Sequence, residues 1–168
     1  MSNAMDTFIG LSAVLTGFSA DVLAPPLDPV DIKSEYLPVF TAKIAQESGD
    51  PTLPDRILQT FANLPDSMTP QQRGAAMLDP ANGDSFVLAC RKLIFMWYAG
   101  AWPTLVPATA TAPASTVSDI ISAKAYTASL VWQVMQSHPM GDSNYRYGYW
   151  AKPPVPLNDY TGQPGGNA

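Results

Sequence analysis

The apolar positions of this chain recur at helical spacing. Phe8, Leu11, Leu15, Phe18 and Val22 lie 3, 4, 3 and 4 residues apart, one stripe of a helix expected over 6–21 with Asp6 as its N-cap. Ile32, Tyr36, Phe40 and Ile44 make a second stripe and predict a helix over 29–46, with Asp28 as cap and Pro29 at the first position. Pro38 falls inside that pattern. Either the helix kinks there, the preferred reading, or it begins near Ser34 with Pro38 in its first turn. A short helix over 54–64 turns Ile57, Leu58, Phe61 and Leu64 inward, and Pro65 stops it. Thr69, Pro70 and Gln72 spell a capping box for a helix that ends by Asp79-Pro80.

The next helix, over 84–100, is the most apolar. Phe86, Cys90, Leu93 and Trp97 form one stripe and Val87, Ile94 and Tyr98 another, interrupted only by Arg91 and Lys92. A helix apolar on most sides is usually central in its bundle. Residues 102–115 hold Pro103, Pro107 and Pro113 among Thr and Ala, which reads as a loop or polyproline-like stretch. A last helix is expected over 117–137, with Thr116 and Asp119 in capping-box spacing and Ile120, Ile121, Ala128, Val131, Trp132 and Met135 inward. Val and Ile do not alternate with polar residues, and no hairpin dipeptide separates two β-like runs. The predicted class is therefore all-α: a bundle of five to six helices with long proline-containing loops and an irregular aromatic C-terminal arm.

Residues 1–5 read as a cloning remainder and start, 6–138 as the helical domain, 139–156 as an aromatic and proline-containing arm, and 157–168 as a flexible tail. No secretory signal is visible, because no basic residues precede the apolar positions of 6–20. The longest apolar block, 93–102, is too short to span a bilayer, which takes about 20 residues.

Composition narrows the function. The chain has 168 residues, 14% of them charged, against about 25% in ordinary domains. Nine basic against fourteen acidic residues leave a net charge of −5, which disfavours a nucleic-acid partner. One Cys and one His exclude a disulfide framework and a Cys/His zinc site. No Gly-x-Gly-x-x-Gly, Walker loop or Gly-x-Ser-x-Gly is present. His138 reads as a helix C-terminal histidine facing the last carbonyls, with a base flanked by Ser137 and Asp142 as the alternative. Cys90, on an apolar face, reads as a buried thiol rather than a nucleophile. Asp31 and Glu35 read as a solvated acidic face, not a metal site; no catalytic, cofactor or metal residue is assigned.

The unusual segment is Tyr145-Arg146-Tyr147-Gly148-Tyr149-Trp150, followed by Ala151-Lys152-Pro153-Pro154. Interfaces enrich such rings and Arg. The arm either meets a partner or fills a groove of its own bundle, and both readings stand. Trp97, Tyr98, Tyr145, Tyr147, Tyr149 and Trp150 are the candidate anchors.

Four runs in order, Phe8–Gly17, Ile94–Gly100, Ala123–Tyr126 and Tyr149–Pro154, together resemble the small subunit of membrane-bound FAD-dependent sugar and polyol dehydrogenases, as in D-sorbitol and fructose dehydrogenase. The likeness covers about residues 6–155. It implies a non-catalytic periplasmic chain, exported by the twin-arginine route and membrane-associated only through its complex. Such a chain escorts and stabilises the large subunit, which holds FAD and oxidises the sugar, while a cytochrome c subunit takes the electrons. It implies no cofactor and no site residue in this chain. A stand-alone binding module, or a small hydrolase-like enzyme using His138 or Cys90, is the alternative.

Overall fold

The computed structural model describes residues 3–139 and 157–162. The protein is mostly helical, with one two-stranded sheet. By its contacts the chain divides into two compact units, one up to Ile94 together with 157–162, the other from Phe95 onward.

In the first unit α1 (Ala4–Thr16) packs against α2 (Ala20–Leu23), α3 (Lys33–Ser48), α4 (Leu53–Ala62) and α5 (Pro70–Met77). Among these, α1 is the hub, the place expected for the most apolar helix. Phe8, Ile9 and Leu11 are buried, and Phe8 meets Phe40 of α3 with ring centroids 6.0 Å apart. Ser12 and Thr16 are also buried; Thr16 Oγ1 donates to the Ser12 carbonyl at 2.7 Å and accepts the Phe18 N–H at 3.3 Å. The cap is Asn3 rather than Asp6; its side chain accepts the Met5 N–H. The single helix expected over 6–21 is two. Gly17 adopts φ 79 and closes α1 by donating to the Ala13 carbonyl, so the stripe loses phase and Leu23, not Val22, is the buried residue of α2.

α3 starts four residues later than its pattern suggests. Asp28 closes a turn instead, accepting the Asp31 N–H at 2.8 Å and the Lys33 ammonium at 2.6 Å. Tyr36, Phe40 and Ile44 are buried as their spacing predicts, and Pro38 lies past the first turn inside the helix. α4 buries Ile57, Leu58 and Phe61. α5 carries the capping box in full: Thr69 Oγ1 accepts the Gln72 N–H at 3.2 Å and Gln72 Oε1 accepts the Thr69 N–H at 2.9 Å. Thr69→Ala is expected to cost about 1 kcal/mol and Thr69→Ser almost nothing, read as shifts in the urea midpoint.

A 3₁₀ turn (Pro80–Asn82) leads into α6 (Asp84–Ala99). Phe86, Val87, Cys90 and Leu93 are buried, and Arg91 is exposed. Lys92, expected to break the apolar pattern, is only 5% exposed and meets Glu47 of α3 at 2.5 Å. Leu157–Thr161, expected in a flexible tail, forms a short C-terminal helix; the Ser19 N–H at the head of α2 donates to the Thr161 carbonyl at 2.7 Å.

The second unit holds the two departures from an all-α reading. Ala101–Val106 (β1) and Ser115–Ile120 (β2) pair antiparallel, where a loop and the start of a helix are expected. The helix expected over 117–137 is two short ones, α7 (Ala123–Thr127) and α8 (Leu130–Val134). Thr116, Val117 and Ile120 are β-branched and take the strand instead of a first helical turn. Ser122 then caps α7, its hydroxyl accepting the Ala125 N–H at 2.9 Å. Ala125, Ser129 and Leu130 are the buried positions here, whereas Ile120 and Met135 are exposed.

Candidate interaction site

The β1–β2 ribbon begins at a pivot. Gly100 ends α6 at φ 64, donates its N–H to the Met96 carbonyl at 2.9 Å and accepts the Ile121 N–H at 3.1 Å. That bond pairs Gly100 with Ile121 and sets the register: Ala101 opposite Ile120, Pro103 opposite Ser118, Leu105 opposite Thr116. Hydrogen-bonded and non-bonded pairs alternate in an antiparallel ladder, so Pro103 falls at a non-bonded pair, where its missing N–H removes nothing.

Beyond Pro103 the ribbon stands in solvent; every residue from 104 to 120 is exposed. Residues directly opposite share a face. One face carries Leu105 and Ile120, 54% and 60% exposed; the other carries Val106 and Val117, 38% and 50% exposed. An antiparallel sheet with one solvated face shows apolar-in and polar-out alternation. Both faces of this ribbon expose large aliphatic side chains, with Asp119 opposite Trp102 as its single charge, and from Leu93 to Ser118 the chain carries no charge. Below it, the Tyr126 and Trp132 rings meet edge to face at 5.3 Å, and Trp132 Nε1 donates to the Tyr126 carbonyl at 2.8 Å, tying α8 to α7.

Of the residues selected from sequence, Trp97 is 2% exposed and fills the interior, the groove-filling role rather than the partner-facing one. Tyr98 is half-buried, and burial pushes its hydroxyl above the usual tyrosine range. Tyr145, Tyr147, Tyr149 and Trp150 lie outside the described residues. His138 sits beyond the end of α8, its Nδ1 2.9 Å from the Pro139 carbonyl rather than at the last helical carbonyls. A carbonyl only accepts, so this contact places a proton on Nδ1. Asp142 lies outside the described residues.

Cys90 is buried, and desolvation pushes its thiol up to about 12. Thiolate is the reactive form, so Cys90 is poorly placed as a nucleophile. In mildly alkaline buffer iodoacetamide is expected to leave Cys90 unmodified in the native chain and to label it fully in denaturant, read by mass; rapid labelling of the folded chain would contradict this. Asp31 is not a free acidic face: with Asp28 it grips Lys33, at 2.7 and 2.6 Å. Partial burial alone would raise the Asp28 carboxyl, but Lys33 and the Asp31 N–H outweigh it and hold it below the usual carboxylate range. Among the described residues, no three His, Cys, Asp or Glu side chains gather as a metal site, and no helix is long and apolar enough to cross a membrane. Beside the Lys92–Glu47 pair, Ile44, Leu53, Leu88 and Ala89 line a recess of about 60 Å³, room for little more than water.

The ribbon's exposed apolar residues escaped sequence reasoning. The available signal was the uncharged run itself, with β-branched residues on its far side. No family model, curated protein or solved structure matches this chain.

Proposed function

We propose that this chain is the non-catalytic small subunit of an FAD-dependent sugar or polyol dehydrogenase complex. It binds, stabilises and helps export the FAD-containing large subunit, and reaches the periplasmic face of the membrane only through that complex. In this reading α1 and α3–α6 form the bundle, and the ribbon is the part the flavoprotein covers. One observation carries it: a two-stranded ribbon with large aliphatic side chains exposed on both faces. Two strands alone are marginal in water, and exposed apolar surface of this kind marks a contact site. The four sequence runs that resemble such small subunits choose the partner's class. The buried, protonated state of Cys90 weighs against the hydrolase alternative.

The test begins at the neighbouring reading frames, where a flavoprotein dehydrogenase is expected. Co-expressed with it, the chain is expected to elute as one complex on size exclusion and to raise the yield of FAD-loaded large subunit. Independent elution of the two proteins, or no flavoprotein frame nearby, overturns the reading.

A further inference from the structure

We propose that the tip of the β1–β2 ribbon is an O-glycosylation site, with Thr111, Ser115 and Thr116 as acceptors. Residues 107–116 are built only of Pro, Ala, Thr and Ser. Ser and Thr set among prolines and small residues are the composition of O-glycan acceptor segments: the prolines keep the backbone extended, and the alanines leave room beside each hydroxyl.

The fold presents this segment outward. Every residue of it is exposed. Thr109 organises the tip: its N–H donates to the Ala112 carbonyl at 2.8 Å, and its hydroxyl accepts the Ala112 N–H at 3.1 Å and the Thr111 N–H at 3.4 Å. The Thr111 hydroxyl approaches that of Thr109 at 3.5 Å, the outer limit of a hydrogen bond, and among the described residues the Ser115 and Thr116 hydroxyls engage no partner. Three hydroxyls are therefore available to an enzyme, and the fourth holds the turn.

The transfer needs a diphosphate-activated sugar and a glycosyltransferase. The side-chain oxygen attacks the anomeric carbon, the bond from that carbon to the diphosphate oxygen breaks, and the diphosphate leaves with the electron pair. The hydroxyl proton passes to a base of the transferase, and nothing is oxidised or reduced. This inference does not depend on the dehydrogenase reading.

The experiment is mass spectrometry of the full chain purified from its natural host. Trypsin releases 93–124 as one peptide. The intact mass is expected to exceed the polypeptide mass by whole hexose or N-acetylhexosamine residues, all of them on that peptide. The T111A/S115A/T116A variant is expected to lose the added mass while keeping its helical circular dichroism, and T111S/T116S to retain it. A native chain at the bare polypeptide mass, sugar only on another peptide, or added mass that survives the triple alanine change overturns the proposal.

Discussion

Gly100→Ala is expected to be the most damaging small substitution in this protein, costing about 3 kcal/mol or more, a large share of the 5–15 kcal/mol that holds a typical domain. Two effects add. Gly100 sits at φ 64, in the left-handed region, where a Cβ costs about 1–2 kcal/mol. That Cβ would also run into the Ala125 carbonyl group and the Tyr126 nitrogen. These are backbone atoms in the middle of α7 and cannot swing aside as a side chain could. Relief requires α7 to retreat, which pulls on the bond from the Ile121 N–H to the Gly100 carbonyl and uncovers Ala125. Gly17→Ala separates the two effects, because Gly17 has φ 79 with open space around it and should show the strain alone. Urea denaturation is expected to place the Gly100→Ala midpoint well below that of Gly17→Ala. Equal midpoints would mean that α7 does not press on the pivot.

The same pivot explains which parts of the fold were legible in the sequence. Helices whose burial follows from local spacing were readable: the Tyr36, Phe40 and Ile44 stripe, the Ile57, Leu58 and Phe61 face, and the Thr69 box all depend on residues within a few positions of one another. Boundaries set by a single conformational choice were not. The left-handed turn at Gly17 splits one apparent stripe, and the Asp28 turn delays α3 because a carboxylate captures an N–H and an ammonium nearby. The ribbon was hidden for another reason. Its eight-residue connection has no tight-turn dipeptide, and Pro103 argues against a strand unless the ladder's alternation is known. Lys92 shows the limit of pattern reading in the opposite sense: the ammonium belongs inside only because Glu47, 45 residues earlier, reaches it.

For the interaction site the decisive result concerns charge on the ribbon. Leu105→Asp with Ile120→Asp places two carboxylates on one face; Val106→Asp with Val117→Asp places two on the other. Each replaced residue lies opposite a neutral one, Thr116, Ala101, Ser115 or Thr104, so no like-charge pair is created across the ladder. All four positions are solvated already, and the isolated chain should therefore keep its helical signal and lose no more than about 0.5 kcal/mol per substitution. Complex formation should respond very differently. Burying an uncompensated carboxylate under a partner costs several kcal/mol, and losing an aliphatic anchor costs about 2 kcal/mol when it is central, so each double variant is expected to weaken binding to the flavoprotein by about 100-fold or more. The pairing of variants also reads the mode of docking. A ribbon inserted into a groove is gripped on both faces, and both double variants should fail; a ribbon laid flat on a surface uses one face, and only one should. If both variants bind as the parent chain does, the apolar ribbon is not what the partner covers.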